Sequence, residues 1–543
     1  MATATIVGGN TVHQSLGASE VTAAQEVLFK LSQDFSDSKI LTSISQPQST
    51  VPGTLNLYNF FNTTGAGSTI VMPGGADGLV LRGAIATKII GSSADTVNPD
   101  PIVLFGNAGN DTVQLTGAGS VMTGVGFDSV KATSTGDGSV WVSSGLGNDT
   151  VAVFGTGSIS GGVGDDDLRL YGSGTVTGDA GHDQISITGG SGTVSVDAGS
   201  GDDRITVRSG TATVNTRDGN DTVTISGGTA TIDLGANNDS VRIYTGATAS
   251  VIGGTGNDTA FVSGGAATVN TGGGNDSVRI TAGTANVSTG GGEDTVSIIG
   301  GSATINTGEH SDRITVSGGT SSINVGTGRD TVVVTKGNVT VTNEVGSTSV
   351  IDAQGVGNLY FSGFGNDTIT LGAGKDTIIS AGSATVKGGT GFSTVDGGVN
   401  LRFTGASGVD SVVAGSGSST LIAGSGNSTL VGGSDNSFAT LRGGSGNVTM
   451  VGGEGTDSMV AGTGNSLFSF DSLQAGGTHI ISGFKDSTAL GGKTLLEITG
   501  YGTVQDILDN KTTVVGGNTI IDLGDGTTIK LLGFTKLDDS EFK

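Results

Sequence analysis

The sequence predicts an all-β protein: a parallel β-roll or β-solenoid of coils of about 18 residues, with acidic turns mainly on one edge. Three observations predict it. Gly supplies 102 of the 543 residues, while Pro supplies only 5. Short segments such as TVTIS (222–226) alternate apolar and small polar residues, which is the period of a strand. Aspartates recur in phase through residues 103–335, in the form G-x-D-x-U-x with U apolar.

Composition narrows the class further. Gly does not fall at every third position and Pro is scarce, so the chain is not collagen. Val, Ile and Thr recur throughout and suit pleated sheet, which argues against disorder. The formal net charge of −25 argues against nucleic acid and anionic membrane, and favours a cation. Cys is absent, so no disulfide supports the fold. No apolar run of about 18 residues is present to span a bilayer as a helix. The opening MATATIVGGNTVHQ lacks a charged segment followed by an apolar one, so no ordinary secretory leader is expected there.

The repeat carries the argument. LGNDTVAV, DGNDTVTI, TGNDTAFV, GGNDSVRI and GGEDTVSI share one pattern. Its aspartates are Asp111, Asp128, Asp149, Asp166, Asp183, Asp203, Asp221, Asp239, Asp258, Asp276, Asp294, Asp312 and Asp330. They step by 17 to 21 residues up to Asp203 and by 18 or 19 beyond it, close to twice nine. In the intervening nonapeptide the equivalent slot has lost its carboxylate: Ala212, Ala230, Ala249, Ala267, Ala285, Ala303 and Ser321. Each unit therefore reads as strand, turn, strand, turn, with apolar residues inward and Thr, Ser, Asn or Arg outward. A single coil cannot bury its inner face, whereas stacked coils can.

Stacking at about 4.8 Å per coil sets successive aspartates above one another, where bare carboxylates would repel. A hard divalent cation between turns removes the repulsion. Ca2+ accepts six to eight oxygens in flexible geometry, and Gly-rich turns expose their carbonyls. Mg2+ demands stricter geometry, and the four His residues (His13, His182, His310, His479) do not cluster for a softer metal. Thirteen turns leave about twelve inter-turn sites, so full occupancy adds about +24 against −25. Calcium is thus expected along one edge of residues 103–335, as a folding cofactor.

These residues resemble the repeats-in-toxin (RTX) family, whose nonapeptide is G-G-x-G-x-D-x-U-x; GGTGNDTAF (253–261) and TGGGNDSVR (271–279) match well. The resemblance covers about residues 100–470 and implies a β-roll that binds Ca2+ in its turns. The Ala-substituted alternate turns depart from the family pattern and look more like the one-edged solenoids of ice-binding adhesin repeats. The Thr slot of that ice-binding form is Thr here only at Thr255 and Thr327, so no regular hydroxyl lattice results.

Five segments follow. Residues 1–100 form an N-terminal capping or assembly region, with a helix expected over 18–35 and all five prolines between 47 and 101. Residues 101–336 are the calcium solenoid, and 337–362 break its phase. Residues 363–470 are a second roll with degenerate sites: Asp367 and Asp376 are candidate ligands, the slot then decays to Ser419, Ser428 and Val448, and an acid returns at Asp457. Residues 471–543 form a β-rich cap and resemble the uncleaved type I secretion signal of RTX proteins.

No H-E-x-x-H, G-x-S-x-G elbow or P-loop is present, and the 165–167 acid run reads as a ligand turn, so no enzyme is expected. The expectation is a secreted, calcium-stiffened structural protein of the extracellular space or cell surface. It resembles bacterial surface-layer (S-layer) and extracellular-matrix proteins. Its partners would be further copies of itself, the type I secretion machinery and cell-surface polysaccharide. The alternative is a calcium-stiffened adhesin or ligand-binding module for glycan or ice.

Overall fold

The computed structural model describes strands within residues 2–92, then 102–106 and 108–543 except 137, 435–436, 475 and 487–491. The helix expected over 18–35 lies outside the described residues. The described residues form a parallel β-solenoid with turns of about 18 residues, about 20 coils among them. It divides into two units, Met1–Val269 and Asn270–Lys543.

In the first unit, strand after strand pairs in parallel with its equivalent one coil on. Thr150–Val163 runs beside Asp167–Ala180 with Val151 opposite Leu168, Val153 opposite Leu170 and Ile159 opposite Val176. Arg204–Asn215 carries the register on to Thr222–Ile225 and Gly228–Asp233. Every second side chain points inward, so columns of one residue type form through the stack: Ile185, Ile205, Val223 and Val241 are all at most 1% exposed. Burying β-branched side chains in such columns fills the narrow interior without large residues.

Tight turns join the strands, and close packing between coils fixes their composition. Gly162 has φ +108°, and a Cβ there would collide with the carbonyl of Gly145 one coil earlier. Only glycine meets both demands.

The second unit has a ladder of the same kind, from Ser277–Gly291 through Ser302–Glu309 and Thr320–Asn324. Residues 337–362 remain in it: Asn338–Thr342 pairs with Asn358–Gly363, and Val350–Ala353 with Asn366–Leu371. Asn358 stands 20 residues after Asn338, so the spacing lengthens there while the pairing holds. At the C-terminal end Thr528–Leu531 adds in parallel to Thr478–Ser482, then pairs antiparallel with Asn518–Asp522, which pairs with Thr512–Val515. The last residue covers the neighbouring edge, with Lys543 N–H donating to the Leu496 carbonyl at 2.9 Å.

Candidate metal centre

The pattern places Asp at an inward position where the turn meets the strand, so the stacked aspartates bury their carboxylates. In the first unit Asp111, Asp128, Asp149, Asp166, Asp183, Asp203, Asp221, Asp239 and Asp258 are at most 2% exposed. They form a chain of identical bonds. The amide of Asp111 donates to Asp128 Oδ1 at 2.6 Å, that of Asp128 to Asp149 at 2.7 Å, and that of Asp149 to Asp166 at 2.7 Å. The pattern continues through Asp183, Asp203, Asp221 and Asp239 to Asp258, at 2.7–2.8 Å. In the second unit Asp276, Asp294, Asp312 and Asp330 repeat it at 2.8–3.0 Å.

In most of these carboxylates one oxygen is thereby spoken for and the other is not. Oδ2 is buried with no hydrogen-bond partner at Asp128, Asp149, Asp166, Asp183, Asp203, Asp221 and Asp239. The same holds at Asp294, Asp312, Asp330, Asp367 and Asp376. A buried, ionised oxygen without a partner is costly. Burial accordingly pushes these carboxyls up, against the lowering effect of the backbone N–H each accepts. Asp166 and Asp203 reach about 7 and Asp239 about 8, with neighbouring aspartates adding to the rise.

The environment of Oδ2 fits a hard cation. A Cβ at Gly161 would run into Asp166 Oδ2 and stand 3.0 Å from the Gly178 carbonyl oxygen. A Cβ at Gly178 would likewise meet Asp183 Oδ2 and the Ala198 carbonyl. Glycine thus leaves a small cradle walled by a carboxylate oxygen of one coil and a peptide oxygen of the next, the donor set that calcium takes. Among the described residues no three His, Asp or Glu side chains come together, so peptide oxygens must complete the shell.

Sequence reasoning missed a second set of buried oxygens. Five residues before the aspartate stands Thr or Ser in several coils. Thr123 Oγ1 donates to the Ser144 carbonyl at 2.8 Å and Ser144 Oγ to that of Gly161 at 2.9 Å. Thr216 bonds to Leu234 at 2.6 Å. In the second unit Thr271, Thr289 and Thr307 each reach the carbonyl one coil on, at 3.1–3.2 Å. Their only sequence signal is a hydroxyl residue in a slot otherwise held by Gly, Ala, Leu or Val. Outside the row runs an exposed ladder at the residue before each aspartate: Asn148 accepts from Asp165 N–H, Asp202 from Asn220 and Asn220 from Asn238.

The other edge carries Ala212, Ala230 and Ala249 in the first unit, and Ala285, Ala303 and Ser321 in the second, all buried. Asp367 and Asp376 do not come together. Asp367 Oδ1 accepts from Ser349 N–H at 3.0 Å and Asn343 Nδ2 at 2.8 Å, and this aspartate continues the acidic column. Asp376 accepts from Leu359 N–H at 3.0 Å on the edge that earlier coils fill with Ala and Val. Asp410, which sequence reasoning did not single out, is in register with Ser393 on that same edge, and neither of its buried oxygens has a partner.

Fold and row together define a parallel β-solenoid of cation-binding turns. The chain carries the RTX calcium-binding nonapeptide repeat, matched over residues 103–115, 186–214, 248–279, 357–382, 404–439 and 440–468. These repeats bind calcium, so calcium is the cofactor that the row implies. No curated protein matches the chain.

Proposed function

We propose that this is a secreted structural protein whose aspartate row takes up calcium outside the cell, and which then assembles with copies of itself into a surface layer, matrix or filament. The unpartnered Oδ2 column carries this reading. In each coil it would hold the ion together with peptide oxygens of the adjoining turn. Bound calcium supplies the positive charge that lets these carboxylates stay ionised in a dry interior. Millimolar extracellular calcium suits weak sites of this kind, whereas cytosolic calcium is too scarce to fill them. Export of an unfolded chain followed by calcium-driven stacking is therefore favoured, in keeping with type I secretion. Exposed Phe127, Phe392 and Phe438, each 58–63% accessible, support lateral contact between copies.

Electron microscopy of the protein with Ca2+ and with EGTA tests the reading. Ordered sheets or fibres only with Ca2+ are expected; dispersed monomers in both conditions overturn assembly. A ligand-binding module is the second reading. It is favoured by the surface stack of Phe154 on Tyr171, with ring planes 4° apart, centroids 4.6 Å apart and Lys131 over the Phe154 ring, an aromatic column that a sugar ring would extend.

A further inference from the structure

The acidic column of the second unit ends in a different chemistry. Beyond Asp367 its slots are Ala384, Leu401, Ser419, Ala439 and then Asp457, each in register with the last. In the coil after Asp457 the slot is taken by His479. Both side chains are at most 1% exposed, and His479 Nδ1 lies 2.9 Å from Asp457 Oδ2. The other ring nitrogen, Nε2, lies 3.2 Å from the Gly476 carbonyl oxygen. Both ring nitrogens therefore face acceptors, and the form of the ring that donates at both is the imidazolium. Asp457 Oδ2 also accepts from Gly453 N–H at 3.1 Å. Its Oδ1 stays buried without a partner. The site is shaped for the ring: Phe470 packs against it at 5.1 Å between centroids, and a Cβ at Gly452 would stand 2.6 Å from Phe470 and 3.2 Å from His479 Cε1.

We propose that His479 is a built-in replacement for the bound cation. At Asp294 and Asp312 the next coil's slot holds another carboxylate, and their Oδ2 atoms have no donor from the chain. Here the next coil offers a cationic donor aimed at Oδ2. The coils around Asp457 and His479 thus need no metal, while those around the aspartate row are weaker without it. A buried ion pair supplied by the chain has one partner and a fixed register, so it also pins the alignment of the last coils. The contrast rests on the calcium reading of the row.

Hydrogen exchange of the full chain, with Ca2+ and with EGTA, tests this. In EGTA the amides of 456–460 and 478–482 are expected to stay protected while those of 204–334 lose protection. Loss of protection in both regions overturns the proposal. Retained protection in both overturns the calcium reading instead. His479→Asp restores the carboxylate pair of the row. It is expected to bind one more calcium per chain than the parent and to make protection of 456–482 depend on calcium. An unchanged stoichiometry overturns the proposal. His479→Gln keeps a donor and removes the charge; protection in EGTA equal to that of the parent overturns the counter-ion role.

Discussion

The amide of Asp203 donates to Oδ1 of Asp221 at 2.7 Å, and Oδ2 of Asp221, equally buried, meets no hydrogen-bond partner. One carboxylate therefore does two jobs. It satisfies a turn amide that the stack would otherwise strand, and it presents a bare oxygen to whatever lies between the coils.

Replacing Asp221 separates the two. Asp221→Asn keeps an acceptor for the Asp203 amide and removes the buried charge. Without metal the variant is expected to melt above the parent at pH 8, and with Ca2+ to bind fewer ions. Thermal melts in EGTA and calcium titration of both proteins decide it; a variant that melts lower in EGTA contradicts the account. Asp221→Ala loses the acceptor too, and is expected to lose about 1–3 kcal/mol in either condition.

Acidity acts on the metal-free protein in an unusual direction. Burial lifts Asp239 from 3.8 to about 8 and Asp203 to about 7, so the folded chain keeps protons that the unfolded chain has released. Metal-free stability is therefore greatest below about pH 4 and falls as pH rises towards 8. With calcium the trend reverses, because binding requires the deprotonated carboxylates. Melts in EGTA at pH 5 and pH 8 should show the more acidic sample stronger, and calcium affinity should weaken over the same interval.

The hydroxyl ladder gives a prediction of its own. Thr289 is fully buried and its hydroxyl bonds to the Thr307 carbonyl at 3.1 Å. Thr289→Val keeps the shape and removes the bond, at a cost of about 1 kcal/mol by urea denaturation. An unchanged urea midpoint overturns the hydroxyl's role.

Gly162→Ala tests the turn. The substitution meets both a φ of +108° and the Gly145 carbonyl, and the backbone strain alone costs about 1–3 kcal/mol. Gly190, whose added Cβ would meet nothing within 4 Å, is the control, and Gly190→Ala should be close to neutral.

The period and the alternation are enough to read the fold. Residues 18 apart that share a side-chain type must share a column once coils stack, and Val223 above Ile205 follows from spacing alone. The inward aspartates follow equally, because Asp221 keeps the parity of Val223. What spacing hides is whatever is out of phase. His479 comes 22 residues after Asp457 because the turn around Ser472–Gln474 is longer, so no count places it in the acidic column. Asp376 stands nine residues after Asp367, half a coil, which carries it to the far edge. The role of Thr123 and its equivalents depends on where a hydroxyl proton points, which the residue type leaves open.

Every amide-to-carboxylate bond in the row runs the same way, from an earlier winding to the carboxylate of the next. Within each unit the row is thus polar. Removing windings from its N-terminal side leaves the first remaining carboxylate, such as that of Asp149, without the amide it accepts from, whereas ending it between Asp128 and Asp239 leaves the final winding with an unanswered NH group. A chain of this design therefore needs unlike terminators, a donor ahead of its first carboxylate and an acceptor behind its last amide.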